Sequence, residues 1–163
     1  MARIFPDDEL GPGAIEAGAM YYADRALAGA EQNNQARYRA GVRSLDALAT
    51  ARFGAVFNDC SKAQQDVLVG HLAAQAAPDA EVAPGEAPTG LTFFEMLRAH
   101  TLEGMFSDPV HGGNRNLSGW KLLGYPGPQP SYSHEEQQLD AVVLRDRIFT
   151  AADYPLASPE ESQ

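Results

Sequence analysis

The feature that most constrains this fold is a glycine- and proline-rich stretch that directly follows a predicted helix. Apolar residues recur near helical spacing from Phe93 to Phe106, and Thr92-Phe93-Phe94-Glu95 has the form of a capping box. From Pro109 to Pro130 glycine and proline then interrupt any helical pattern. Long loops of this kind inside a domain are uncommon and are either functional or disordered. Because this one contains the chain's single tryptophan, the sequence predicts an ordered loop that packs against a surface.

Composition favours helices and excludes several classes of function. The chain has 163 residues, which suits one domain. Alanine and glycine are abundant and β-branched residues are scarce, so the prediction is an all-α fold. A net charge of -10 argues against binding to nucleic acid or to an anionic membrane. Cys60 alone can form neither an internal disulfide nor a cysteine-rich metal site, and no apolar run approaches a membrane span.

The chain divides into four parts within one predicted domain, residues 1–163. Residues 1–75 are expected to form a helical N-terminal half. Residues 76–90 contain three prolines and no large apolar residue except one valine, and therefore predict a mobile linker. The helix and long loop described above occupy residues 91–132. A last helix and an acidic, frayed tail are expected over residues 133–163.

Terminal signals place the helices of the N-terminal half. Pro12 suits a first helical position, and Gly29 a stop. Asn33 or Asn34 is expected to cap the second helix, which Gly54 ends. One face of the first helix should be apolar, formed by Ile15, Ala19, Tyr22, Ala26 and Leu27.

Two further capping boxes predict helix starts later in the chain. Ser61-Lys62-Ala63-Gln64 precedes a helix with Leu68 on its apolar side. Ser133-His134-Glu135-Glu136 is expected to begin the last helix, with Leu139 and Val142 on its apolar side.

One group of residues suggests metal or acid–base chemistry. His100 and Glu103 are three residues apart and would share a helix face, with Glu95 and His111 nearby in sequence. A stand-alone metal-dependent enzyme using His100, Glu103 and His111 is therefore one hypothesis. However, no second Glu-x-x-His pair appears, and no closing set of zinc ligands is evident. The alternative is a histidine whose hydrogen bonds fix the junction between helix and loop.

An ordered run of rare residue types carries a family resemblance. The stretch HTLEGMFSDPVHGGNRNLSGWKLLGYPGP resembles the signature of the gluconate 2-dehydrogenase subunit 3 family, the small accessory subunits of bacterial flavin-dependent dehydrogenase complexes. A second likeness lies near the start, where Ile4-Phe5-Pro6 leads to Gly11-Pro12-Gly13-Ala14. The pieces that match in the signature are His100-Thr101-Leu102-Glu103-Gly104, Ser107-Asp108-Pro109, Gly112-Gly113-Asn114-Arg115, Gly119-Trp120-Lys121-Leu122 and Gly124-Tyr125-Pro126-Gly127.

The resemblance implies a non-catalytic subunit without a cofactor of its own. Its expected partner is a large flavoprotein of the glucose–methanol–choline (GMC) oxidoreductase type. That partner would hold FAD and oxidise a sugar, sugar acid or glycoside. In many such complexes a cytochrome c subunit then accepts the electrons. The small subunit is implied to assist the stability, maturation and export of its partner. Many relatives are periplasmic and begin with a twin-arginine leader, whereas MARIFPDDEL lacks the layout of an export signal.

The loop is expected to wrap the partner subunit. Trp120 either packs on its own domain or anchors that contact, and the sequence leaves both readings open. The candidate interface residues are Glu103, His111, Gly112, Gly113, Asn114, Arg115, Trp120, Lys121, Tyr125 and Pro126.

Overall fold

The all-α prediction is confirmed in a computed structural model that describes residues 1–76, 92–142 and 147–154. Within these ranges the chain forms five α-helices and no β-strand. None of these helices combines the length and the apolar character that a bilayer-spanning segment needs. The helices are α1 (Ala19–Ala28), α2 (Gln35–Phe53), α3 (Lys62–Gln75), α4 (Phe93–Phe106) and α5 (Ser118–Leu123).

Helix α4 is the central element of the fold. It packs mainly along α1, and α2, α3 and α5 also contact it. One apolar cluster lies where the N-terminal segment (residues 1–18) and the start of α1 meet the end of α4. It contains Ala14, Ala17, Ala19 and Met105. A second cluster joins α2 and α3 through Leu45, Ala49, Cys60 and Leu68, and the ring of Phe93 packs against it. The loop that follows α4, residues 107–130, carries most of the signature and is called the signature loop. It therefore begins at the helix that both clusters share.

Small residues allow α1 and α4 to approach closely. A Cβ atom at Gly104 would lie 2.6 Å from the Cα atom of Ala19 and 2.7 Å from its carbonyl oxygen. Both Gly104 and Ala19 are buried. Because the obstructing atoms are backbone atoms, no side-chain rotation could make room for a larger residue at position 104.

Two of the predicted capping boxes begin helices, as expected. Ser61 accepts a hydrogen bond from the backbone N–H of Gln64 at the start of α3, and Thr92 accepts one from Glu95 at the start of α4. In each pair the N3 side chain also accepts from the N-cap backbone N–H. Gly54 ends α2 in the left-handed conformation, at φ 75°.

The first helix begins later than predicted, at Ala19 rather than at Pro12. Gly18 adopts φ 69°, which ends the preceding turns, and the segment before it is held by a hydrogen bond from the N–H of Ala14 to the carbonyl of Phe5 (2.9 Å). Ile15 consequently lies outside the helix and is exposed. The buried face is formed by alanines instead, because only small side chains fit against α4.

The cap predicted for α2 is wrong in its mechanism. Asn34 does precede the helix, but its side chain makes no capping hydrogen bond. Its amide donates instead to a carboxylate oxygen of Glu31, over 3.2 Å. A short 3-10 turn, Gln32–Asn34, leads directly into the helix.

The predicted C-terminal helix is also wrong over the described residues 133–142. Ser133 and Glu136 make both hydrogen bonds of a capping box, yet only a turn follows them. Leu139 and Val142 are highly exposed, so no burial of an apolar face stabilises a helix there. Part of the expected frayed tail is ordered, since Ala151–Asp153 forms a 3-10 turn. The predicted linker lies almost wholly outside the described residues.

The contact between α1 and α4 yields a first prediction. Gly104→Ala should lower the free energy of unfolding by about 1–3 kcal/mol, the usual cost of overpacking, because α4 must move away from Ala19. The measurement is urea unfolding of the full chain followed by circular dichroism.

Gly70→Ala is the matched control, because Gly70 lies within α3 and a Cβ atom there would meet nothing within 4 Å. This variant should be neutral or more stable by up to about 1 kcal/mol, since alanine favours helix. Equal unfolding midpoints for both variants would contradict the close-approach argument.

Candidate functional site

The signature loop is organised around the side chain of Asn114, which is completely buried. Its amide nitrogen donates to the carbonyl of Ser107 (2.9 Å), and its amide oxygen accepts from the N–H of Gly119 (2.9 Å). Its own backbone N–H donates to the carbonyl of Gly104 (2.7 Å). One residue thus joins the end of α4 to the start of α5. These bonds explain how a loop rich in glycine stays ordered.

The loop contains a short run of strained backbone. Asn114, Asn116 and Leu117 adopt positive φ values of 46°, 55° and 58°. For residues with a Cβ atom this left-handed conformation costs about 1–2 kcal/mol each, and asparagine tolerates it best. The hydrogen bonds of Asn114 and a bond from the N–H of Arg115 to the carbonyl of Ala17 (2.9 Å) hold the run in place. Strain of this kind is characteristic of functional sites.

The structure resolves the two roles that the sequence left open for Trp120. The residue is only 4% exposed. Its indole N–H donates to the carbonyl of Phe106 (2.7 Å), and the ring of Tyr125 meets the indole edge-on with centroids 5.0 Å apart. Trp120 is therefore a core residue of its own chain. It lies on α5, a helix that the glycine-rich pattern did not predict.

The ten predicted interface residues separate by exposure. Gly113, Asn114 and Trp120 are buried, and Gly112 and Pro126 are half-buried. A Cβ atom at Gly113 would collide with the backbone of Gly104, so this glycine serves packing. The exposed members are Glu103, His111, Arg115, Lys121 and Tyr125.

The sequence did not indicate that the N-terminal segment lies beside the loop. A Cβ atom at Gly11 would be 3.1 Å from a methyl group of Leu122. At the other end of the contact, the guanidinium of Arg25 donates to the carbonyl of Val110 (2.9 Å). Between them the side chain of Arg115 covers Gly18. The two stretches that carry the family resemblance are far apart in the sequence but lie beside each other in the fold.

The candidate metal group differs from the one predicted. Ligand atoms of Glu31, His100 and Glu103 lie within 4.8 Å of one another. His111 is not part of this group and lies on the exposed 3-10 turn Pro109–His111. The third member is Glu31, which lies in the connection between α1 and α2. The spacing of residues in the sequence gave no sign that Glu31 contacts His100. Glu103 is exposed, whereas His100 is 2% exposed.

The contacts of His100 favour a structural role. Its Nε2 atom lies 2.9 Å from a carboxylate oxygen of Glu31, and the ring of Tyr38 stacks on the imidazole at 5.6 Å. Among the described residues, no partner lies within hydrogen-bond distance of the buried Nδ1 atom. A metal on Nε2 would place the proton on Nδ1, where ligating histidines normally have an acceptor. The arrangement instead fits an imidazole whose Nε2–H donates to Glu31.

Two tyrosines complete this cluster. Burial, assisted by the charge of Glu31, raises the pKa of Tyr38 to about 12, so its hydroxyl stays protonated at physiological pH. Burial also raises the pKa of Tyr22, and the charge of Glu103 and a hydrogen bond to it add to that effect. The tyrosines and His100 thus connect α1, α2 and α4.

The role of Asn114 leads to a prediction about the loop. Asn114→Ala should lower the free energy of unfolding by about 2–4 kcal/mol, because it leaves the Ser107 carbonyl and the Gly119 N–H without their partner. The measurement is urea unfolding monitored by the fluorescence of Trp120, which lies next to Gly119 on α5.

Asn116→Ala is the control, because Asn116 is exposed and has the same left-handed backbone. It should lose only about 1 kcal/mol, the conformational cost alone. If both variants lost the same free energy, backbone strain rather than the buried amide would explain the effect.

The His100–Glu31 pair gives a third prediction. Glu31→Ala should lower the free energy of unfolding by about 1–2 kcal/mol more than Glu31→Gln, whose amide oxygen can still accept from Nε2. Calorimetric titration with Zn²⁺ should show no saturable binding that depends on His100. Stoichiometric Zn²⁺ binding that both His100→Gln and Glu103→Gln abolish would overturn the structural interpretation.

Comparison with known proteins identifies the family. The model of a family described as gluconate 2-dehydrogenase subunit 3 matches residues 1–127. This range includes the N-terminal segment, all five helices and most of the signature loop. No curated protein and no solved structure matches the chain. The family description points to an accessory subunit of a dehydrogenase complex. The chain belongs to the gluconate 2-dehydrogenase subunit 3 family.

Proposed function

We propose that this chain is a non-catalytic small subunit that stabilises and matures a flavin-dependent dehydrogenase. The large subunit would be a GMC-type flavoprotein that holds FAD and transfers hydride to it from a sugar, sugar acid or glycoside. The electrons would then pass to a cytochrome c subunit or to another electron acceptor. Where the complex is exported, the small subunit would assist that step. The observation that carries this proposal is the family match over residues 1–127.

The geometry of the signature loop supports a binding role. The loop has little freedom to lose on association, because Asn114 joins the end of α4 to the start of α5 and Trp120 anchors α5 to α4. Rigid elements bind more tightly than mobile ones, since less conformational entropy is lost when the complex forms. A strained loop held in one conformation is therefore well suited to present side chains to a partner.

The exposed residues of the loop are the proposed contacts. Arg115, Lys121 and Tyr125 are exposed on it, and His111 and Glu103 lie at its border with α4. The buried residues Gly113, Asn114 and Trp120 would act indirectly, by holding the loop in shape.

The test is co-expression of this chain with the large dehydrogenase subunit of the same organism, with a tag on the large subunit alone. We expect the two chains to elute together at equal stoichiometry, with one flavin spectrum per complex. Without the small subunit, the yield of soluble, FAD-loaded large subunit should fall, because binding to the folded state stabilises it by mass action.

Three outcomes would overturn the proposal or a part of it. Flavin bound to the isolated small chain, or substrate oxidation by it, would contradict the non-catalytic role. Equal yield and activity of the large subunit produced alone would contradict the stabilising role. Loss of the small chain after the large subunit has folded would instead indicate a chaperone that departs from its client.

A further inference from the structure

The segment from Leu10 to Arg25, which includes the start of α1, and the loop from Val110 to Tyr125 lie beside each other as two antiparallel strips. Gly11 lies against Leu122, and the carbonyl of Ala17 accepts from the N–H of Arg115. Farther along, Gly112 lies against Arg25 and the backbone of Tyr21. The contacts thus run forward along one segment and backward along the other. The small residues of both strips are buried, namely Gly13, Ala14, Ala17, Gly18, Gly113 and Gly119.

Large apolar side chains project outward from the same strips. Leu10 is 77% exposed and Ile15 58%, on the first strip. Leu123 is 63% exposed, on the second. Single exposed apolar residues need no explanation, but several of them on segments that lie side by side are candidates for an interaction site. The full set is Leu10, Ile15, Met20, Tyr21, Val110, Leu123 and Tyr125. We call this set, together with Arg115, the two-strip surface.

Arg115 lies within the two-strip surface without an acidic partner. Its guanidinium carbon is 3.7 Å from the centroid of the Tyr21 ring, which keeps the side chain flat on the surface. Among the described residues, none forms a salt bridge with it. Of the two described arginines that lie over an aromatic ring, Arg147 also pairs with Asp153, whereas Arg115 has no acidic partner among the described residues. Planar guanidinium groups of this kind are suited to bind a carboxylate of another molecule.

We infer that the two-strip surface is where the large dehydrogenase subunit docks, through an apolar patch that carries a carboxylate opposite Arg115. This inference rests on the proposed function and specifies its contact surface. It extends the signature loop with residues of the N-terminal segment that the sequence did not indicate. Residues 1–127, the range of the family match, contain every member of the surface.

A second copy of this chain is a poorer occupant of the same surface. Two copies would bring together two chains of net charge -10, and in a symmetric contact Arg115 would find a carboxylate only where the other copy offers one. A partner with its own carboxylate at that point satisfies the arginine and covers the leucines in one contact.

The experiment measures the affinity between the purified small chain and the separately produced, FAD-loaded large subunit. Leu10→Ser, Leu123→Ser and Arg115→Glu should each weaken binding about tenfold or more, as expected for residues within a contact. The affinity of the unaltered chain should also fall as salt is added, and Arg115→Glu should remove part of that dependence.

Matched controls lie on other helices. Val67 of α3 is an exposed valine, and Arg43 of α2 is an exposed arginine. Val67→Ser and Arg43→Glu should keep the affinity within about twofold of the unaltered chain. Thermal unfolding of every variant separates loss of contact from loss of fold, and Arg115→Gln replaces Arg115→Glu if charge reversal disrupts the fold.

The possible outcomes separate the inference from the proposed function. If the unaltered chain binds and the surface variants bind equally well, the docking surface is wrong and the accessory role stands. If the unaltered chain does not bind the large subunit, the accessory role is wrong and the docking surface with it. If the surface variants alter self-association instead, the surface is an interface between copies of this chain.

Discussion

The rest of this structure depends on the close contacts that α4 makes with α1 and with the loop that follows α4. At Gly104 one residue meets α1 through the backbone of Ala19 and accepts a hydrogen bond from the N–H of Asn114. The absence of a side chain there lets the helix and the loop share the same space. Asn114 then carries the constraint forward to Gly119 and α5. A loop that glycine would otherwise leave mobile is fixed by one buried amide and by close backbone packing.

Local chemistry predicted several helix ends correctly, because each of those signals acts within four residues. Ser61 and Thr92 begin helices as their capping boxes predict, and Gly54 ends one. The box at Ser133 forms the same hydrogen bonds without a helix, since Leu139 has nothing to pack against. A cap therefore specifies where a helix starts only when tertiary contacts stabilise the helix. The late start of α1 has the same explanation, because alanines rather than Ile15 suit the surface of α4.

The candidate site was predicted in part, and the missing part is long-range. The signature residues pointed to one loop, but their spacing could not show which of them face inward. Trp120 and Asn114 are buried by contacts with Phe106 and Ser107, which only the folded path of the loop creates. Glu31 joins His100 across 69 positions of sequence, and no local pattern reports such a pair. The nearness of the N-terminal segment to Arg115 is of the same kind.

The same geometry separates the residues that hold the site from those that can act at it. The side chains of Asn114 and Trp120 are buried and hydrogen-bonded within the chain, and Gly113 packs against the backbone of Gly104. These residues therefore present little surface to a partner. Arg115 and Leu123 are in the opposite situation: rigid backbone holds them, and their side chains have unused charge or apolar surface. Ordered side chains with unused charge or apolar surface favour binding, because little conformational entropy is lost when a partner covers them. The signature thus divides in two: its buried residues hold the loop in shape, and its exposed residues are the contacts of the proposed interface.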